Sequence, residues 1–264
     1  MKAEAITSLL STGTFGRPVI CLDCVGSTND HARKIGESEG GHGTLVIAET
    51  QTAGRGRRGR TWDSPPGTGV FMSLLLKPDF SPAAASGITL VAAMAIREGI
   101  FQVTGLDPRI KWPNDLVIDG KKICGILTEM STIEGRIRSI VVGCGINVNT
   151  ESFPEELAQT ATSLYLAGGC KVDREKLIAA VMNAFEADYG RFQQTGDLSL
   201  LKADYEAHLI NFGRSVTVLA AAGSFQGISR GITDTGSLLV ETADGSLREV
   251  LSGEVSVRGV YGYV

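Results

Sequence analysis

At Asn211-Phe212-Gly213 the character of the chain changes, and this break constrains the fold more than any single motif. Before it, strand-sized and helix-sized apolar patterns alternate. After it come only short strands and turns, at 215–220, 227–233, 237–242, 247–251 and 255–260, with Asp244-Gly245 joining two of them. Five strands in about 50 residues spell a small barrel. At roughly 150 residues per domain, 264 residues make a large unit and a small one. The division predicted here is 1–211 and 212–264.

In the large unit, residues 1–16 read as a helix or a frayed arm. Residues 19–23 and 44–50 read as short strands, and 70–76 as a buried one. Residues 87–103 follow a helical period through Ile88, Val91, Ala95 and Phe101. Strands over 109–118 and 121–130 flank Asp119-Gly120, a two-residue hairpin signal. Glu134-Gly135 marks a second turn before a strand over 136–149. Asp173 caps an amphipathic helix with a stripe of Leu177, Val181, Phe185, Tyr189 and Phe192. A last helix is predicted over 198–210.

Composition excludes several classes. Lys and Arg number 25 against 29 Asp and Glu, a net charge of −4, which argues against a surface that coats nucleic acid or an anionic membrane. No run approaches the roughly 18–20 apolar residues of a membrane span, and Met1-Lys2-Ala3-Glu4 does not open a signal peptide. The expectation is a cytoplasmic protein. Five cysteines, an odd count, fit reduced thiols better than a disulfide framework. Cys21 and Cys24 form a C-x-x-C, but a strand there points them to opposite faces.

Four segments carry chemistry. In Gly54-Arg55-Gly56-Arg57-Arg58-Gly59-Arg60-Thr61-Trp62, four arginines lie within six residues, spaced by glycine. Glycine admits close backbone approach. Arginine supplies rigid forks for phosphate or carboxylate. Trp62 offers a stacking face. The string also reads as a solvated loop or an RGG-like segment. Its shortness, its flanking strands and its terminal Trp favour an anion site. No Walker or Rossmann signature is present.

In the second, Lys111-Trp112-Pro113-Asn114-Asp115 precedes the Asp119-Gly120 turn. Strand alternation puts Lys111, Asp115 and Lys122 on one face, with Trp112 and Asn114 on the other. Two cations and a carboxylate could hold two anions together, or form cross-strand ion pairs on an exposed hairpin. Pro113 fits a strand interior poorly. The third, Gly143-Cys144-Gly145-Ile146-Asn147, is either a ligand-facing strand end or a plain turn. The fourth, Ser27-Thr28-Asn29, is a polar cluster at a strand end, or the cap of a helix starting near Asp30.

Together these segments resemble the biotin–protein ligases. The matching residues are Ser27-Thr28-Asn29, Gln51 with the Gly54–Trp62 string, Lys111 to Asp115, Lys122 with Gly125-Ile126-Leu127, Gly143 to Val148, and Gly253-Glu254-Val255-Ser256-Val257-Arg258. The resemblance covers about 20–260. It implies an α+β fold, a mixed sheet with helices like class II synthetases and lipoate ligases, plus a C-terminal SH3-like barrel. It implies two steps: biotin and Mg·ATP give biotinyl-5′-AMP, then a lysine of a biotin carboxyl carrier protein takes the biotin.

The resemblance also implies roles. Lys122, Arg57 and Asp115 are the expected catalytic residues, with Asp115 the expected Mg²⁺ ligand. Ser27, Thr28, Asn29, Gln51, Gly54, Arg55, Gly56, Arg57, Lys122 and Gly125 are expected around biotin. Arg57, Arg60, Trp62, Lys111, Asn114, Asp115, Asn147, Glu254 and Arg258 are expected around ATP. A homodimer is implied. Ser27-Thr28-Asn29 comes too early for a preceding winged-helix domain, so no operator DNA is expected. Members that cover the adenine with a later tryptophan differ, because Trp62 and Trp112 are the only two here. A lipoate or octanoate transferase of the same fold, and a nucleic-acid module, are the competing readings.

Overall fold

The computed structural model describes residues 1–38, 41–220, 223–252 and 256–259. A seven-stranded mixed sheet is built from β1 (Val19–Val25), β2 (Leu45–Gln51), β3 (Gly69–Leu76), β4 (Arg109–Lys111), β5 (Asp115–Ile118), β6 (Lys121–Ile133) and β7 (Arg136–Asn147). Its order is β1-β2-β3-β7-β6-β5-β4. Among the seven described strands of this sheet, only β1 and β2 pair with each other in parallel. They are joined by α2 (Thr28–Gly36), the crossover that a parallel pair requires.

Alternation on these strands decides what each face meets. On β3, Val70, Met72, Leu74 and Leu76 enter the main core with α3 (Ala85–Thr104) and α6 (Arg174–Thr195). Leu75 points the other way, into a small cluster with Ala32 of α2, Val46 and Val141. One face of the sheet is thus sealed by long helices. The other is covered at one end by α2 and is open beyond it, which leaves room for a pocket. Helix α1 (Ala3–Leu9) packs on α6 and β1.

The turns form as their residues dictate. Asp119 and Gly120 have φ of 49° and 75°, and Glu134 and Gly135 of 50° and 77°, the left-handed pair of a two-residue hairpin. Asp173 caps α6 by accepting from Lys176 N at 3.1 Å.

Three expectations need correction. The strand predicted over 109–118 is a hairpin: β4 turns at Trp112-Pro113-Asn114 and returns as β5, with Lys111 opposite Asp115. Pro113 cannot donate to a ladder, so the chain turns there. The helix predicted over 198–210 is only α7 (Lys202–His208), because Leu198 and Leu201 are buried anchors of a preceding turn. Pro82–Thr104 is, by length and composition, apolar enough to cross a membrane, against the expectation of no such run; 67% of its apolar window is buried in the fold. Such all-round hydrophobicity also marks a helix enclosed by a sheet and another helix.

Between β7 and α6, two short helices follow, α4 (Glu155–Ala158) and α5 (Leu164–Gly168). A second, antiparallel sheet comprises β8 (Ser215–Ala220), β9 (Gly223–Ile232), β10 (Leu238–Glu241), β11 (Leu247–Val250) and β12 (Ser256–Gly259), in the order β11-β10-β9-β8-β12. This is the SH3-like unit. Buried Trp112 donates from Nε1 to Gly236 O at 3.0 Å, tying the β4–β5 turn to it. The five cysteines are free, with Cys21 half-buried and Cys24 exposed on β1.

Candidate active site

The floor of the site is glycine. Gly125 of β6 pairs with Gly145 of β7, and Leu127 with Gly143. None of these glycines has a positive φ, so the backbone does not demand them; the space above does. A Cβ at Gly143 would stand 1.9 Å from Asn29 Oδ1. One at Gly145 would stand 2.5 Å from the Trp62 indole, and one at Gly125 2.9 Å from Trp62 and 3.0 Å from Lys122 Nζ. The Gly-x-Gly is therefore strand, not turn, and its glycines let side chains lie flat on the sheet.

The N-terminal turn of α2 forms one wall. Ser27 takes the cap position, but its side chain makes no cap bond. Thr28 donates from N and Oγ1 to Gln51 Oε1 at 2.9 and 3.1 Å, and Gln51 Nε2 donates to Ser64 Oγ at 3.2 Å. Beneath them Ser73 is completely buried, its Oγ 2.7 Å from Thr28 Oγ1 and 2.6 Å from Asn29 Oδ1. Asn29 Nδ2 donates to Glu129 Oε2 at 2.7 Å and Leu127 O at 3.2 Å. Buried polar groups held this way present fixed donors and acceptors to a ligand.

The arginine loop folds back on itself as the lid. Gly56 N donates to Arg60 O at 2.7 Å and Trp62 N to Gly54 O at 2.9 Å. A Cβ at Gly54 would stand 2.4 Å from Trp62 O, so the crossing requires glycine. Arg57 donates to Asn114 Oδ1 at 2.8 Å and to the carbonyl of Ser252 in the C-terminal unit. Burial pulls the Arg57 guanidinium below its usual range. Arg58 and Arg60 are exposed.

Lys122 Nζ lies 2.7 Å from Asp115 Oδ1 and 5.3 Å from the centre of the Trp62 ring. Lys111, opposite Asp115 on β4, is buried. Burial pulls its ammonium down to about 8, against the pull of Asp115 and with the help of Lys122, Arg258 and Arg60. The expected shared face of Lys111, Asp115 and Lys122 therefore exists, although through a hairpin rather than along one strand.

Two cavities meet at this cluster. A narrow one, about 50 Å³, runs between Thr28, Asn29, Gln51, Arg55 and Gly143. A wider one, about 380 Å³, runs past Arg60, Lys111, Asn147 and Phe153 to Val257. Both touch Arg57, Trp62, Asn114 and Lys122. Asn147 donates to Thr162 O at 3.1 Å. Arg258 is an exposed residue of β12. The expectation for Glu254 falls outside the described residues. Among the described residues no three metal-ligating side chains cluster.

Sequence reasoning missed Ser73, Ser64, Asp30 and Glu129. Ser73 alone carried a signal, a polar residue inside an apolar strand.

Comparison with known proteins follows the same division. A model of the biotin/lipoate A/B protein ligase family matches residues 21–147, and one of the biotin protein ligase C-terminal domain matches 212–258. The bifunctional ligase/repressor BirA of Bacillus subtilis is 40% identical over 94% of this chain and 76% of its own length. The chain belongs to the biotin protein ligase family. Another member, the biotin–[acetyl-CoA-carboxylase] ligase of Mycobacterium tuberculosis, is 31% identical over 94% of this chain and 91% of its own. The biotin protein ligase from Aquifex aeolicus, solved with biotin and ATP, superposes with a TM-score of 0.80 at 32% identity, over 91% of this chain and 98% of that one.

Proposed function

We propose that this biotin protein ligase joins biotin to ATP, giving biotinyl-5′-AMP and pyrophosphate, and passes biotin to a lysine of a biotin carboxyl carrier protein of a carboxylase. The observation that carries the reading is the meeting of two cavities at Lys122, whose ammonium Asp115 holds at 2.7 Å. The reaction needs two anions, a carboxylate and an α-phosphate, held in attack geometry despite their repulsion. Positioning and charge supply most of the acceleration.

In the narrow cavity Ser27, Thr28, Asn29 and Gln51 hold the ureido ring, with Gly56 and Gly125 giving room, Gly54 letting the loop cross behind, and Arg55 at the rim. Trp62 and Lys111, with Asn114, Asn147 and Arg60, line the way for ATP, and exposed Arg258 adds its charge from β12. Lys122 and Arg57 bridge the two anions. The biotin carboxylate oxygen bonds to the α-phosphorus as the bond to pyrophosphate breaks. The acceptor amine then bonds to the acyl carbon, and AMP leaves with the electron pair. Mg²⁺ would come with ATP as its counter-ion and would offset the phosphate charge. One carboxylate plus substrate phosphates is a donor set it accepts, and Asp115 is the carboxylate at hand.

Residues 1–211 form the biotin- and ATP-binding unit in this reading, and 212–264 the unit that closes on it through Ser252 and Val257. A cytoplasmic homodimer belongs to the same proposal; the five free thiols and the terminal strand β1 support it. Pyrophosphate exchange with ATP, driven by biotin and not by lipoate, tests the activity. Exchange with lipoate alone, or none at all, overturns it.

A further inference from the structure

Arg55 stands on the lid, but its guanidinium is gripped by two carboxylates outside the Lys122–Asp115 pair. Nη1 and Nη2 reach Asp30 Oδ2 and Oδ1 at 2.8 and 2.9 Å, a two-pronged grip, and Nη2 lies 3.2 Å from Glu129 Oε2. Asp30 also receives Arg33 at 2.7 Å. These carboxylates are tied to the pocket itself. Asp30 follows Asn29 in α2, and Glu129 accepts from Asn29 Nδ2 at 2.7 Å. Asn29 is held in turn by buried Ser73 at 2.6 Å. A continuous polar chain thus runs from the pocket floor to the lid. Single exposed ion pairs contribute little, but a two-pronged arginine shared by two carboxylates makes a network.

The lid is therefore fastened at two points: Arg57 to the β4–β5 turn and the C-terminal unit, and Arg55 to α2 and β6. We propose that Asp30 and Glu129 are positioning residues that hold the glycine loop shut through Arg55, and so set how long the acyl-adenylate stays enclosed. The proposal rests on the function argued above. A mixed anhydride needs such shielding from water, and neither carboxylate is assigned a contact with biotin or ATP.

The test uses the full chain with biotin and α-labelled ATP, without acceptor. Release of labelled biotinyl-AMP is timed for wild type, Asp30→Asn, Glu129→Gln and the double variant. Release from the double variant should be about tenfold faster, with the kcat of pyrophosphate exchange kept. Asp30→Glu should restore most of the retention. Raising the salt should speed release from wild type and leave the double variant unchanged, because the screened contact is already gone. Trypsin cleavage at exposed Arg58, read without ligands, should quicken in the double variant. Equal release, or salt-insensitive release from wild type, overturns the latch. If wild type makes no intermediate, the proposed function fails instead, and equal Arg58 cleavage in wild type and the double variant then overturns the latch separately.

Discussion

The Trp62 indole lies so close over Gly145 that a single methyl group on that glycine would stand 2.5 Å from the ring. Two segments more than eighty residues apart thus share one surface, and the lid's seat depends on a missing side chain.

Gly145→Ala should unseat Trp62. Overpacking costs about 1–3 kcal/mol, and the loop gives way more easily than the sheet. Calorimetry should show biotin binding weakened at least tenfold, with a smaller change in melting temperature. Trp62→Ala in the same chain should recover part of the melting temperature.

Lys122→Ala should abolish the first step while the fold persists. Removing one preorganised charge from a developing anion costs about 10²–10³ in rate, and in the proposed reaction the same charge serves both anions. Pyrophosphate exchange is the assay. Lys122→Arg should keep a fraction of the activity, since it retains the charge but not the compact ammonium.

Ser73→Ala should act without touching a ligand. It leaves Thr28 Oγ1 and Asn29 Oδ1 without their buried partner, at about 1–3 kcal/mol. Urea unfolding reads that loss. The biotin KM should rise and the ATP KM should not, because Ser73 supports only the narrow cavity.

Lys111 sets a pH dependence. Its folded value is about 8 against 10.5 in the open chain, so the unfolded state holds the proton more tightly. Relative to Lys111→Met, the wild type should gain stability as pH rises from about 8 to 10.5. Activity should move the opposite way. If Lys111 serves ATP as proposed, its ammonium is lost above about pH 8, so the ATP KM should climb there, and stay flat in Lys111→Arg.

Much of the fold was legible because its signals are local. Asp119-Gly120 and Glu134-Gly135 announce their turns, Asp173 starts its helix, and all five strands of the C-terminal unit stand out by alternation and spacing. The β4–β5 hairpin was not legible. Arg109 to Ile118 carries a strand pattern throughout, and only Pro113 marks the reversal. The Gly54–Trp62 string announced a ligand loop by composition, yet gave no sign that Arg55 would meet Asp30 and Glu129.

The sequence by itself determined which elements form, in what order, and that a basic glycine loop lies between strands. Periodicity, caps and turn residues act over a few positions, and these are written in neighbouring residues. Only the tertiary structure decided what the elements enclose. The strand order β3-β7-β6 sets Ser73, Gly143 and Leu127 side by side beneath α2, and closure of the C-terminal unit brings Ser252 to Arg57. Contacts across such distances depend on how whole faces bury against each other, which no local pattern records.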